Sequence, residues 1–534
     1  MYMKRLLNCF MVVLLVFSFA GCQKDNIVLI DPIDTDDSED LIANTAFTQM
    51  VGVAFSTSGN AIVTGINDDF TVTVSGNDVT IVYAGEEYVM YELSGTTNDG
   101  YFKLYSAKKQ GITLNGVGIT NPNGAAINVQ GTQAEPSKGK RTFIVLNGEN
   151  SLADGIKYTE TPAIEDEKGA MFGEGQFIFS GEGSLNVAAT GKSGIVSDDY
   201  VHFISGEITV NVSSSATVNG SDTLKPACVK GKDYVRMTGG ALSLTSTGTG
   251  GKGISSDGNG YFYGGMVNVT VTGSNFGSNG GGGDGHGGWG NNSSDGVSAK
   301  GLKFDGNLIF KGSKVVVNCS AHEGIEAKGS ISISGGQVYA QANDDAINSG
   351  GEMTISGGYV MAYSTGNDGI DANGNCYIKG GVVYAVGARE PELGIDANTE
   401  GGYKLYVQGG TLVAIGGLEN GASLSQTCYS ASSLSKGTWY ALYSDSDEAL
   451  VFKTPSSFTA STFVVSTSGT PSLQAGVSTS GGSSILNGYV LSGATVSGGS
   501  SVSLSTYSGG NAGGGPGGGG HGGNPGGGGR PGGW

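Results

Sequence analysis

The feature that most constrains this chain is a repeat. Aligned so that a small residue followed by an apolar one falls in a fixed column, its middle reads Gly169-Ala170, Gly194-Ile195, Ala227-Cys228, Gly253-Ile254, Gly296-Val297, Gly324-Ile325, Ala346-Ile347, Gly369-Ile370 and Gly394-Ile395. From Gly324 to Gly394 the steps are 22, 23 and 25 residues. About eleven or twelve residues after most markers a Gly-Gly or Gly-Glu pair returns, as at Gly335-Gly336, Gly357-Gly358 and Gly380-Gly381. Each pair opens an alternating run such as Val338-Tyr339-Ala340 or Val360-Met361-Ala362. Alternation is a strand signal, and the glycine pairs are turns that need positive φ. A unit this short cannot enclose a core alone, so the units must stack as coils, about 4.8 Å apart.

Stacked coils should carry like residues in inward columns. Ile195, Ile254, Val297, Ile325, Ile347, Ile370 and Ile395 form one such ladder; Val338, Val360, Val383 and Leu412 form a second, and Ala340, Ala362, Ala385 and Ala414 a third. No unit contains a ten-residue amphipathic window. The expected fold is therefore all-β, a right-handed parallel β-helix over residues 115–424, with a β cap over 46–114 and a small β domain over 425–508. Of the 534 residues 98 are Gly, and they concentrate in a tail over 509–534 and in a surface loop, Ser274 to Asp295, that interrupts the repeat. Glycine has no three-residue period, which excludes collagen.

The first 22 residues are an address. Lys4 and Arg5 precede a short apolar run, and Ala20-Gly21 precede Cys22, the pattern of a secretory signal ending at a lipid-modified cysteine. Such a protein is held at the outer membrane or cell surface by the lipid on Cys22, with an acidic tether over 23–45. Cys228, Cys319, Cys376 and Cys428 show no metal spacing, leaving free thiols or one disulfide open. With 28 Lys and Arg against 47 acids and a net charge of −19, nucleic acid is excluded as a partner.

The chemistry lies at the acidic turn around the apolar ladder. Successive coils read His322-Glu323-Gly324-Ile325-Glu326, Asp344-Asp345-Ala346-Ile347-Asn348, Asn367-Asp368-Gly369-Ile370-Asp371 and Gly394-Ile395-Asp396. Stacking sets Asp295, Glu323, Asp345 and Asp368 in one column and Glu326, Asn348, Asp371 and Asp396 in another. Carboxylates one coil apart repel by roughly a few kcal/mol, so they must take up protons, spread into solvent or bind a cation. The oxygen-only donor set, with Asp344 and Asn367 beside it, suits Ca2+. Turn preference alone explains one Asp per coil but not paired acids in register. An outward column of Tyr339 and Tyr384, with Tyr359 beside it, is a candidate sugar-stacking surface or merely the cover of an exposed sheet.

The strings HEGIEAKGSISISGG, NDDAINSGGEMTISGG and NDGIDANGNCYIKGG, with the opening YELSGTTNDGYFKL…GITLNGVGITNPNGAAINVQG, are similar to a known family. They resemble bacterial carbohydrate-binding domains that repeat a "DDGI-K-K-ITGG" theme, calcium-binding parallel β-helices related in fold to family 9 polysaccharide lyases; the likeness covers about residues 60 to 420. The resemblance implies non-catalytic binding of a polygalacturonate-like or cellulose-like polysaccharide. A lyase acting on uronates is the alternative, with Lys300 and Lys328, read as one column, as candidate bases, although a lysine among carboxylates tends to keep its proton. A structural adhesin is the third reading.

Overall fold

The computed structural model describes residues 38–159, 162, 164–219, 222–277, 296–431 and 434–509. The signal segment with Cys22, most of the tether, most of the Gly-rich loop including Asp295, and residues 510–534 of the tail lie outside the described residues. The chain divides into a unit of residues 1–45, whose described part holds two 3-10 turns (Ser38–Asp40 and Ile42–Asn44), and a unit of residues 46–534. Among the described residues no helix is long and apolar enough to cross a membrane.

The larger unit is all-β and dominated by parallel pairing, a β-helix-like arrangement. One coil contributes three strands, as in Ile347–Ser349, Met353–Ile355 and Tyr359–Ser364. Each pairs in parallel with its counterpart in the next coil, Ile370–Ala372, Cys376–Ile378 and Val382–Val386. First strands build a twelve-stranded sheet; second and third strands form two ladders within a 29-stranded sheet. The turn before most third strands requires glycine. Gly358 has φ +76°, and a Cβ there would lie 2.8 Å from the backbone of Gly335 and Gly336.

The inward column of the first strands runs Ile195, Val229, Ile254, Leu302, Ile325, Ile347 and Ile370, with single bridges on to Ile395 and Leu418. Val297, expected in this column, is not in it; it bridges Phe276 instead. Gly301-Leu302 obeys the same small–apolar rule five residues later. Gly301 has to be bare, because a Cβ would sit 2.2 Å from Val317 Cγ1 and 2.4 Å from the Gly324 carbonyl oxygen. Parallel pairing also reaches back into residues 46–114: Gln49–Phe55 pairs with Val89–Thr97, and Asn77–Tyr83 with Gly100–Ser106. An antiparallel partner for Asn77–Tyr83, the strand Phe70–Ser75, closes that end of the twelve-stranded sheet. Covering a ladder's last strand removes a template for edge-to-edge aggregation. The four described cysteines are free and buried.

At the other end Phe463–Ser466 pairs antiparallel with Thr411–Ile415, the last strand of the third ladder. A six-stranded sheet that includes Trp439–Ser444 and Asp447–Lys453 packs on the outward side of that ladder. Its Tyr440, Leu442, Phe452 and Val490, with Leu486 from the 3-10 turn Leu486–Gly488, enclose Tyr339, Met361, Tyr363 and Tyr384. Tyr384 is fully buried and its hydroxyl donates to the Lys453 carbonyl oxygen at 3.1 Å; Tyr339 is 1% exposed and stacks on Tyr489. The expectation that Tyr339 and Tyr384 face sugar is therefore corrected. The segment 425–508, expected as a small β domain, also folds along the side of the stack and makes these rings core. Tyr359 is half-buried and packs against the same cluster.

Tyr384→Ala is expected to destabilise the protein by about 3–5 kcal/mol, read as a lower midpoint in urea unfolding. A loss within about 0.5 kcal/mol, as at an open surface, would refute the packing.

Candidate functional site

The first strands of the later coils, Ile325–Ala327, Ile347–Ser349 and Ile370–Ala372, are three residues long, so the residues just before and within them are fixed by the stacking bonds. Gly301, Gly324 and Ala346 donate their N–H to the carbonyl oxygens of Glu323, Asp345 and Asp368. This sets Lys300, Glu323, Asp345 and Asp368 one above another. Lys300 thus holds the place expected for Asp295, a consequence of the shifted marker. Inside the strands Lys303, Glu326, Asn348 and Asp371 are in register. The bridges Ile370 to Ile395 and Ile395 to Leu418 extend that column to Asp396 and Glu419. Glu419 was not anticipated, yet Gly417-Leu418-Glu419 repeats Gly394-Ile395-Asp396 after 23 residues and was legible.

Electrostatically the two columns divide into unlike halves. In the earlier half cations are built in. Lys300 Nζ lies 3.1 Å from Glu323 and 2.7 Å from Glu326. His322 contacts Glu323 and lies 3.0 Å from Asp344, whose other oxygen accepts the Asn367 amide at 2.8 Å. Burial and then the Lys300 charge pull the His322 pKa down. His322, Glu323 and Asp344 converge within 4.8 Å and could chelate a metal, but Lys300 already answers the charge there.

In the later half nothing answers it. Among the described residues none of Asp345, Asp368, Asp371, Asp396 and Glu419 has a Lys, Arg or His partner within 4.0 Å. Burial, followed by the Asp371 charge, pushes Asp345 up to about 8. Burial together with Asp396 and Asp345 raises Asp368 to about 9, and burial with Asp396 and Asp344 raises Asp371 to about 7. Glu419 is pushed up to about 8 by burial and by the Asp396 carboxylate hydrogen-bonded to it. Turn chemistry satisfies part of the set: Asp345 Oδ1 accepts the Asp368 N–H at 3.1 Å, and Asp368 Oδ1 accepts the Leu393 N–H.

The donors fit a hard cation. The Asn348 amide nitrogen lies 2.9 Å from Asp345 Oδ2 and 2.9 Å from Asp371 Oδ2, so two carboxylates from adjacent coils converge on one point. Turning that amide over would present its oxygen there, completing an all-oxygen set of the kind Ca2+ takes.

Lys300 and Lys328 do not share a column. Phe304 pairs with Ala327, which sets Lys328 beside Asp305, and its Nζ lies 3.0 Å from that carboxylate. Lys252, in register with Lys300, was also missed. It is buried, donates to the Gly250 carbonyl oxygen at 3.2 Å, and is pulled down to about 7 by burial and then by the charges of Lys300 and Lys303.

A family model described as "Carbohydrate-binding domain-containing protein" matches residues 75–369. No curated protein matches the chain. Among solved structures, the polysaccharide lyase-like protein from C. thermocellum, a gadolinium derivative, is similar at 18% identity, over 60% of this chain and 96% of that one, with a TM-score of 0.30.

The raised carboxyls set the sign of a pH effect. Asp345, Asp368 and Asp371 hold protons in the fold up to about pH 7–9 but lose them near pH 4 when unfolded. The stability they contribute is present at low pH and lost as pH rises through those folded values. In chelator, Tm is expected to fall between pH 5 and pH 9, and Ca2+ should reduce the fall. A flat Tm in chelator would count against buried, unneutralised acids.

Proposed function

The chain belongs to the carbohydrate-binding domain-containing protein family, and from that premise we propose that it is a membrane-anchored, Ca2+-dependent polysaccharide-binding protein that does not cleave its ligand. The lipid on Cys22 holds it at the outer membrane or cell surface, and the ladders form a right-handed parallel β-helix that displays the site. One observation carries the calcium reading: Asp345, Asp371, Asp396 and Glu419 stand on successive coils with no cationic partner among the described residues. Asp345, Asn348 and Asp371 would hold one ion, and Asp368, Asp396 and Glu419, on the same and later coils, would hold further ions. When bound, Ca2+ supplies a positive charge that joins these acids to carboxylates or hydroxyls of a polygalacturonate-like or cellulose-like glycan. The chain's own contribution is to keep the oxygens in register and to confine built-in neutralisation to the Lys300 end. Glu323, Glu326, Asp344 and Asn367 flank the ion rather than hold it, because Lys300 and His322 engage three of these four side chains, and Asn367 binds Asp344.

Retention of the full chain, in detergent, on immobilised polygalacturonate and cellulose is expected in Ca2+ and lost in chelator. Asp371→Asn with Asp396→Asn should weaken Ca2+-dependent retention more than about tenfold, a change of about 1.4 kcal/mol. Retention indifferent to chelator would overturn the metal reading.

A second reading, a uronate lyase, has Lys252 in its favour, an amine uncharged in part near neutral pH. It would remove the C5 proton of a uronate as the C4–O glycosidic bond breaks, the departing oxygen taking up a proton, and leave an unsaturated product absorbing in the ultraviolet. Against it, Lys252 is closed in, Lys300 is ion-paired, and Lys328 faces Asp305. No rise in ultraviolet absorbance on incubation with polygalacturonate and Ca2+ is the expected result; a rise would reverse the order of the two readings.

A further inference from the structure

We propose that Tyr377 and Tyr406, flanked by Lys379 and Lys404, form the surface on which the polysaccharide rests, and that the ligand is an acidic glycan bearing uronate carboxylates. The inference rests on the glycan-binding reading above and replaces the tyrosines that the fold has buried.

Four observations carry it. First, the outward column of the second strands runs Ser332, Thr354, Tyr377, Tyr406 and Ser423. Its two rings stack at 4.8 Å and 11°, and both are half-buried, unlike the enclosed Tyr339 and Tyr384. Second, the neighbour of Tyr406 on its far side is Ser423, whose side chain is too short to cover the ring. The pair therefore ends in an apolar ledge edged by phenol hydroxyls, and the C–H face of a pyranose packs on such a surface.

Third, the charge beside the rings is positive in an acidic chain. Lys379 Nζ lies 4.6 Å from the Tyr377 ring centroid, and Lys404 stands two residues before Tyr406; both side chains are exposed. Among the described residues neither has a carboxylate within 4.0 Å, whereas Lys300, Lys303 and Lys328 each have one. With 47 acids against 28 bases, lysines without a carboxylate beside an aromatic pair are complementary to a sugar that carries its own carboxylate.

Fourth, the ledge adjoins the acid column. Asp371 is in the first strand and Tyr377 in the second strand of one coil, six residues apart and thus within about 20 Å even if fully extended. One oligosaccharide held by an ion at Asp371 and Asp396 can reach round the corner to the rings.

The test compares binding of the full chain to polygalacturonate and cellulose, both in Ca2+. Tyr377→Ala with Tyr406→Ala should weaken polygalacturonate binding about tenfold, the size of two lost ring contacts; Tyr377→Phe with Tyr406→Phe should keep it. Lys379→Gln with Lys404→Gln should weaken polygalacturonate binding and its salt dependence while leaving cellulose retention unchanged. The rise in Tm on adding Ca2+ should match wild type in every variant, which reports an intact fold and ion site. If the alanine and glutamine variants bind as wild type while Asp371→Asn with Asp396→Asn does not, the ledge is overturned and the calcium-dependent function stands. If wild type binds cellulose as tightly as polygalacturonate, the acidic ligand is overturned. If wild type binds neither, the glycan reading itself fails, and this inference with it.

Discussion

Backbone hydrogen bonds between successive coils tie each side chain to a column, and most other features follow from that restriction. A parallel pairing places residue over equivalent residue at about 4.8 Å, so whatever occupies a position meets its own kind above and below. For Ile325, Ile347 and Ile370 this is favourable, because identical apolar side chains bury one another. For charged residues the same geometry is costly, since like charges are held at a separation that neither can relax. A column can escape this cost by breaking the repetition or by supplying a counter-charge.

Both solutions are present. Lys300 ends the acid column on its earlier side, with Glu323 and Glu326 as its partners, and Lys303 and Lys328 share Asp305 in the same way. Later coils drop the lysines and keep the acids. There the raised pKa values of Asp345, Asp368 and Asp371 measure what the register imposes: burial first, then the neighbouring carboxylate. Asn348 breaks the run of charge at one coil and bridges Asp345 of its own coil to Asp371 of the next. Two neighbouring coils thus offer oxygen, amide and oxygen around one point, which turn preference at separate positions does not produce.

Much of this was legible in the sequence, because the columns are a direct product of the repeat. The glycine pairs, the Val and Ala ladders and the acids of the later coils all follow from the 22- to 25-residue step. What was not legible has three physical causes. The Gly-rich stretch before Gly296 hides how many residues a coil spends there, and two candidate markers, Gly296-Val297 and Gly301-Leu302, satisfy the same local rule. The register of Leu302 with Ile254 and Ile325 decides between them, and that choice moved Lys300 into the acid column and separated it from Lys328. Glu419 escaped because its marker is Leu rather than Ile. The tyrosines were misread because outward does not mean exposed: alternation fixes the face of a strand, but not what packs upon it. Tyr384 and Tyr377 both point outward, and only the fold of residues 425–508 distinguishes them.

That distinction carries the functional argument further than the charge pattern alone. The six-stranded sheet removes the third ladder's outward side from solvent over the coils that hold Tyr339 to Val413, and all but the first of these coils bear unneutralised acids at their first strands. A ligand at those coils is thereby directed to the first and second strands. On these two faces the chain sets buried carboxylates round one corner from half-buried tyrosines and exposed lysines. A neutral chain would need neither the ion nor the ammonium groups. A polyanion would need both, because the acids that hold the ion would otherwise repel it. The separation of negative and positive charge onto adjacent faces is thus the arrangement an acidic protein would need to hold an acidic glycan.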